Sequence, residues 1–279
     1  MKSKFFWLVL ALCIIAFIFS FVSRNTNDAK NFKPLELNVG DVFSYVDYGA
    51  NMYVLNYAMD DVNGDGNKDM IIAIGEKAYP EDTVAQNMQI VLYNPVTETF
   101  YATKLKKFSG EMPRIMIYEL NGDENKEIVL AANDEKGNIT MRIVTLQDEK
   151  LEEIFKARDN KGILFTGNFI DGFKVYLKCS KYKKEVNLEL TDRKENYVTN
   201  GFFDESGRIL KDDAKITISG FTSVDFVQLD GFYGIQTKQR IIGFNDEDLL
   251  DEIIVIWKYE NGKWCVKEAK GSKVGNLLY

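Results

Sequence analysis

YAMDDVNGDGNKDMIIAIG at 57–75 and IYELNGDENKEIVLAAN at 117–133 are two versions of one pattern, a short apolar run, a polar loop and a second apolar run. With 57–75 laid over 117–133, Asp61, Asn63, Asp65, Asn67 and Asp69 fall on Glu119, Asn121, Asp123, Asn125 and Glu127, an offset of 58 residues (61 to 119). Polar side chains at every second position of a loop between strand-like runs point to a repeated structural unit, and a repeat changes the architecture to be expected. Fainter copies follow, with Asp171-Gly172 inside LFTGNFIDGFKVYLKC (164–179) and Asp230-Gly231 inside VDFVQLDGFYGIQTKQRIIG (224–243).

Working outward, the runs NMYVLNYAM, NMQIVLYN, TETFYATKL, PRIMIYEL, NITMRIVTL and KLEEIFKA are short and rich in Ile, Val, Tyr and Phe, with turn residues between them. These are strand signals, and an all-β chain is expected. Only 192–202, DRKENYVTNGF, has room for a turn or two of helix. About four strands fit each interval between the repeated turns, which is the arithmetic of a propeller blade. The expectation is therefore a β-propeller-like array of about four four-stranded repeats, with a short β-sandwich carrying two hairpin loops as the competing architecture.

The first loop, DVNGDGNKD, has the chemistry of a calcium site. Ca²⁺ takes six to eight hard oxygen ligands, and Asp61, Asn63, Asp65 and Asp69 offer side-chain oxygens while Asn67 offers a carbonyl. Gly64 and Gly66 allow a tight curl. An EF-hand is ruled out, because its twelfth position would be Ile72, where a bidentate Glu is needed. The second loop, Glu119, Asn121, Asp123, Asn125 and Glu127, is the weaker calcium candidate, with longer acids and Glu124 in place of a glycine.

Residues 61–75 resemble the calcium loop of FG-GAP or VCBS repeats, which build integrin-like propellers, with Asn63 standing where that family carries an Asp. The resemblance implies ligand roles for Asp61, Asn63, Asp65, Asn67 and Asp69, and a task in binding or adhesion. The C-terminal stretch from Phe232 to Glu268 is similar, more loosely, to the final repeat of exported bacterial proteins of that type.

At the N-terminus, FFWLVLALCIIAFIFSFV (5–22) follows Lys2 and Lys4. As a helix it would be about 27 Å long, close to the thickness of a bilayer's hydrocarbon core. Residues 1–23 are read as a signal anchor or transmembrane helix, 24–34 as a linker and 35–279 as the β domain. Lysines before the span favour an N-terminus inside and the domain on the extracytoplasmic side of the cell membrane, with secretion after signal cleavage as the alternative.

The 279-residue chain has no histidine and a net charge of −7. The missing histidine removes His-based triads and the commonest metal ligand, and the negative charge argues against a nucleic-acid partner. No GxSxG motif occurs. The expected role is a calcium-binding module contacting a protein or glycan, with no catalytic residues. A calcium-dependent enzyme acting on extracellular polymers and a structural subunit of an envelope complex are the alternatives. Cys179 and Cys265 leave both a disulfide and two free thiols open.

Overall fold

The computed structural model describes residues 34–123, 125–211 and 215–278. The apolar stretch 5–22 and Cys13 lie outside the described residues, so the signal-anchor expectation does too. Among the described residues no helix is long and apolar enough to cross a membrane.

The all-β expectation holds, and every strand pairing is antiparallel. The first half is two four-stranded meanders. One comprises β1 (Met52–Asp60), β2 (Asp69–Glu76), β3 (Val84–Asn94) and β4 (Thr99–Lys104). The other comprises β5 (Gly110–Tyr118), β6 (Glu127–Asn133), β7 (Ile139–Gln147) and β8 (Lys150–Phe155). They are joined where Val84 and Ala85 of β3 pair with Glu111 and Gly110 of β5. Gly110 is required at this seam, because a Cβ there would lie 2.4 Å from the Asn133 carbonyl oxygen.

Strand alternation sorts the side chains into separate cores. In β2, Ile71 and Ala73 face one way and Met70, Ile72 and Ile74 the other. The second set packs beneath Leu35, Leu37 and Phe43 of the N-terminal segment. The first set meets Ile128, Leu130 and Ala132 of β6. The alternate β6 residues, Val129 and Ala131, turn to a third core shared with the C-terminal half. The β5–β8 sheet is thus a middle layer buried on both faces, and β2 is likewise covered on both sides, which explains why β2 and β6 read as near-continuous apolar runs rather than as alternating ones.

The four-strand period stops there. Next comes a three-stranded sheet of β9 (Thr166–Ile170), β10 (Lys174–Cys179) and β11 (Lys184–Glu189). A 3-10 turn at Thr191–Arg193 and helix α1 (Lys194–Thr199) occupy the segment with helical potential. A six-stranded sheet completes the fold: β12 (Thr217–Ile218), β13 (Ser223–Gln228), β14 (Tyr233–Ile242), β15 (Leu249–Glu260), β16 (Lys263–Gly271) and β17 (Gly275–Asn276). Four equal repeats and a closed propeller are therefore not what forms among the described residues. The physical reason lies in the third unit, where the chain spends the length of a fourth strand on α1 and the turn after it, whose Tyr197, Phe202 and Phe203 pack with Phe169 of β9, Tyr197 and Phe202 also meeting Phe244 from beyond β14. Cys179 and Cys265 are free thiols.

Candidate functional site: a duplicated acidic loop

Both loops hang from the same ladder position. Asp60 pairs with Asp69 at the mouth of the first hairpin, and Tyr118 pairs with Glu127 at the mouth of the second. Inside, the same bonds recur at the same offset. The Gly64 N–H donates to Asp61 Oδ1 (2.8 Å) and the Gly122 N–H to Glu119 Oε1 (2.5 Å). Asn63 Oδ1 accepts from the Asp65 N–H and Asn121 Oδ1 from the Asp123 N–H, both at 2.9 Å. Asp65 Oδ1 accepts from the Asn67 N–H (2.7 Å) and Asp123 Oδ1 from the Asn125 N–H (3.0 Å). The last acid folds back under each loop, with the Val62 N–H on Asp69 Oδ2 (3.3 Å) and the Leu120 N–H on Glu127 Oε2 (2.7 Å). Asp and Asn suit these places because their short side chains satisfy backbone donors nearby in the chain.

Charge is distributed unevenly. Asp69 and Glu127 are buried while Asp65 and Asp123 are exposed. Burial, with Asp65 and Asp61 adding like charge, pushes the Asp69 carboxyl up to about 6. Burial likewise pushes Glu127 up to about 7, against the bonds it accepts from Leu120 and from the Thr145 hydroxyl. Burial acts in the same direction on Asp65, but hydrogen bonds from Asn67, Asn63 and Asn94 outweigh it and hold that carboxyl below its ordinary value.

The loops touch. A Cβ on Gly64 would stand 3.3 Å from Asn125 Oδ1, and Lys126 Nζ lies 2.8 Å from Asp60 Oδ1. The Asp230-Gly231 turn joins the row: the Tyr233 N–H donates to the Glu119 carbonyl (2.8 Å), and Phe232 lies over Gly122. The Asp171-Gly172 turn is tied instead to 207–209, through Gly172 N–H to Gly207 O and Ile209 N–H to Asp171 Oδ1.

As to a metal, among the described residues no three His, Cys, Asp or Glu side chains converge as a ready cluster. The donor set nevertheless fits a hard cation. It consists of oxygens only, and the Asp61 and Asp69 oxygens that cap an N–H each keep a further lone pair, whereas Asp65 would exchange the side-chain amide bonds it accepts from Asn63, Asn67 and Asn94 for the ion. Asp61, Asn63, Asp65, Asn67 and Asp69 are brought into one loop, and Glu119, Asn121, Asp123, Asn125 and Glu127 into its neighbour.

The acidic run Asn245–Glu252 is largely structural. Asp248 is buried and accepts hydrogen bonds from the Tyr197 hydroxyl, Arg193 Nη1 and the Phe244 N–H. Asp251, also buried, caps the N–H groups of Glu252, Ser272, Lys273 and Val274. Burial works against the charged form of Asp251, and the bonds from Ser272 and these backbone donors hold its carboxyl below the ordinary range. The available signal was an acid, Asp251, separated from the apolar run IIVIW (253–257) by Glu252 alone.

The fold and loops define an antiparallel all-β protein with a duplicated Asp/Asn loop at one end of stacked sheets. Residues 163–272, a minority of the chain, match the family model described as the YybI C-terminal domain. Two solved structures are similar. One is the exotype rhamnogalacturonan lyase YesX, at 17% identity and TM-score 0.33, with 86% of this chain and 36% of that one covered. The other is Bacillus licheniformis rhamnogalacturonan lyase PL11, at 14% identity and TM-score 0.35, with 79% and 34% covered. The chain spans about a third of the length of these lyases. No curated protein sequence matches. These findings overturn the resemblance to FG-GAP or VCBS repeats and integrin-like propellers, since the matching family is a different one. The loop pattern misleads because its Asp and Asn residues are accounted for by capping an eight-residue turn, a need that is not peculiar to one family.

Proposed function

We propose that the chain is a non-catalytic calcium-binding module that works outside the cytoplasm and recognises a protein or glycan partner. Asp61, Asn63, Asp65, Asn67 and Asp69 form its main calcium site, and the loop Glu119–Glu127 forms a weaker one. The observation that carries this reading is Asp69: a buried carboxyl held beside the charges of Asp61 and Asp65 and pushed up to about 6. A divalent cation relieves such like-charge crowding. Extracellular calcium modules have Kd values of about 10⁻⁴ to 10⁻³ M, which suits millimolar calcium outside the cell.

The test is a melting series of the full chain with and without calcium, for the native protein and Asp65→Ala. At ten times Kd, bound calcium adds about 1.4 kcal/mol of stability, and Asp65→Ala removes most of that gain. A native chain whose melting temperature ignores calcium would refute the reading.

A further inference from the structure

The opposite end of the two meanders holds a groove that the loops do not use. Two clefts of about 440 and 280 Å³ adjoin there and share Val84 as a common wall. Their boundary is the seam between the sheets, bridged by the Thr83 hydroxyl donating to Glu111 Oε1 at 2.9 Å. Five carboxylates line the pair of clefts against two lysines, Lys77 and Lys136. That excess of carboxylates makes the groove's field negative.

Large apolar side chains stand exposed beside this charge. Val84 is 40% exposed, Tyr79 64% and Met112 66%. Met112 also has φ +50°, in the bulge where β5 slips against β6 between Glu111 and Arg114. A bulky residue in the left-handed region is strained, and bulges re-aim side chains. Met112 directly follows the lining residue Glu111 in the chain and holds a flexible thioether in solvent, and methionine is a side chain that adaptable binding surfaces favour.

We propose that this groove is a docking site for an extended cationic peptide segment of a partner protein. The carboxylates receive its lysine or arginine side chains, and Val84 and Met112 receive its apolar ones. An anionic polymer is disfavoured by the same field. Because the groove lies at the far end of the strands from Asp61–Asp69, docking does not need calcium.

The probe is a short fluorescein-labelled peptide of lysine, leucine and serine, titrated into the full chain with anisotropy as readout. A matched peptide with glutamate for lysine, and a neutral oligosaccharide, serve as comparisons. The lysine peptide is expected to bind, with affinity falling as salt rises and unchanged by a calcium chelator. Glu111→Lys together with Glu135→Lys weakens it by about tenfold, while Glu185→Lys on β11 has little effect. Met112→Gly accommodates the positive φ without strain, so it keeps the fold and still loses affinity. Equal binding of the glutamate peptide, preference for the oligosaccharide, or an equal effect of Glu185→Lys would overturn the assignment.

Discussion

The loops at 61–69 and 119–127 share a hydrogen-bond scaffold and differ in what is mounted on it. In the first, a short Asp at each acidic position sits with two glycines, and the Asp61 carboxylate spans both the Gly64 and Gly66 N–H groups. In the second, Glu119 and Glu127 reach further, and Glu127 gains a partner the first loop lacks, the Thr145 hydroxyl. Scaffold and charge are therefore separable. The turn survives the exchange of Asp for Glu because it depends on backbone capping, whereas closing oxygens around an ion depends on side-chain length. The second loop has a structural task besides, since its Glu119 carbonyl accepts from the Tyr233 N–H and its Gly122 lies under Phe232, which tie it to the C-terminal half.

The largest effect should come from removing the acid that each loop folds over. Glu127→Ala leaves the Leu120 N–H and the Thr145 hydroxyl buried without their partner. Each such loss costs about 1–3 kcal/mol, so denaturant melts at neutral pH should show a drop of about 3 kcal/mol. Asp69→Ala abandons one longer bond, at 3.3 Å, and should cost less. Equal losses would erase the structural distinction between the loops.

That distinction was only partly visible in the sequence. The strands, the repeat and its offset were legible because polar residues at every second loop position coincide with runs of Ile and Val on either side. The number of repeats was not, because Asp171-Gly172 and Asp230-Gly231 look alike as dipeptides while only the second packs into the row of loops. Equally hidden were Asp248 and Asp251, whose partners Arg193, Tyr197 and Ser272–Val274 are distant in sequence. The seam groove was invisible, since neither the Met112 bulge nor the pairing of Val84 with Glu111 leaves a local pattern.

A smaller effect separates the loops by pH. Asp69 rises from 3.8 to about 6 and Glu127 from 4.5 to about 7 on folding. The native state therefore binds more protons than the unfolded chain between those values, and stability falls as pH rises through them. Their contribution is fully present below about pH 4 and is lost by about pH 7 to 8. With calcium chelated, the melting temperature should decline between about pH 5 and pH 8, and Asp69→Asn with Glu127→Gln should flatten the decline. Added calcium should restore stability at the upper end through the first loop. A melting temperature that rises across this window would mean that neither acid is penalised by burial.

The smallest effect addresses whether the loops press on one another. Gly66 has φ +84° with nothing within 4 Å of a Cβ placed there, while Gly64 has φ +72° with Asn125 Oδ1 at 3.3 Å. Gly66→Ala should cost about 1 kcal/mol from backbone conformation alone. Gly64→Ala carries the same backbone cost and also pushes on Asn125, so it should cost somewhat more, and replacing Asn125 by Gly should remove the excess. A double-mutant cycle isolates that excess as a coupling energy of about 0.5 kcal/mol or more, the range seen for residues in contact. A coupling of zero would show that the two loops share a design without sharing a load.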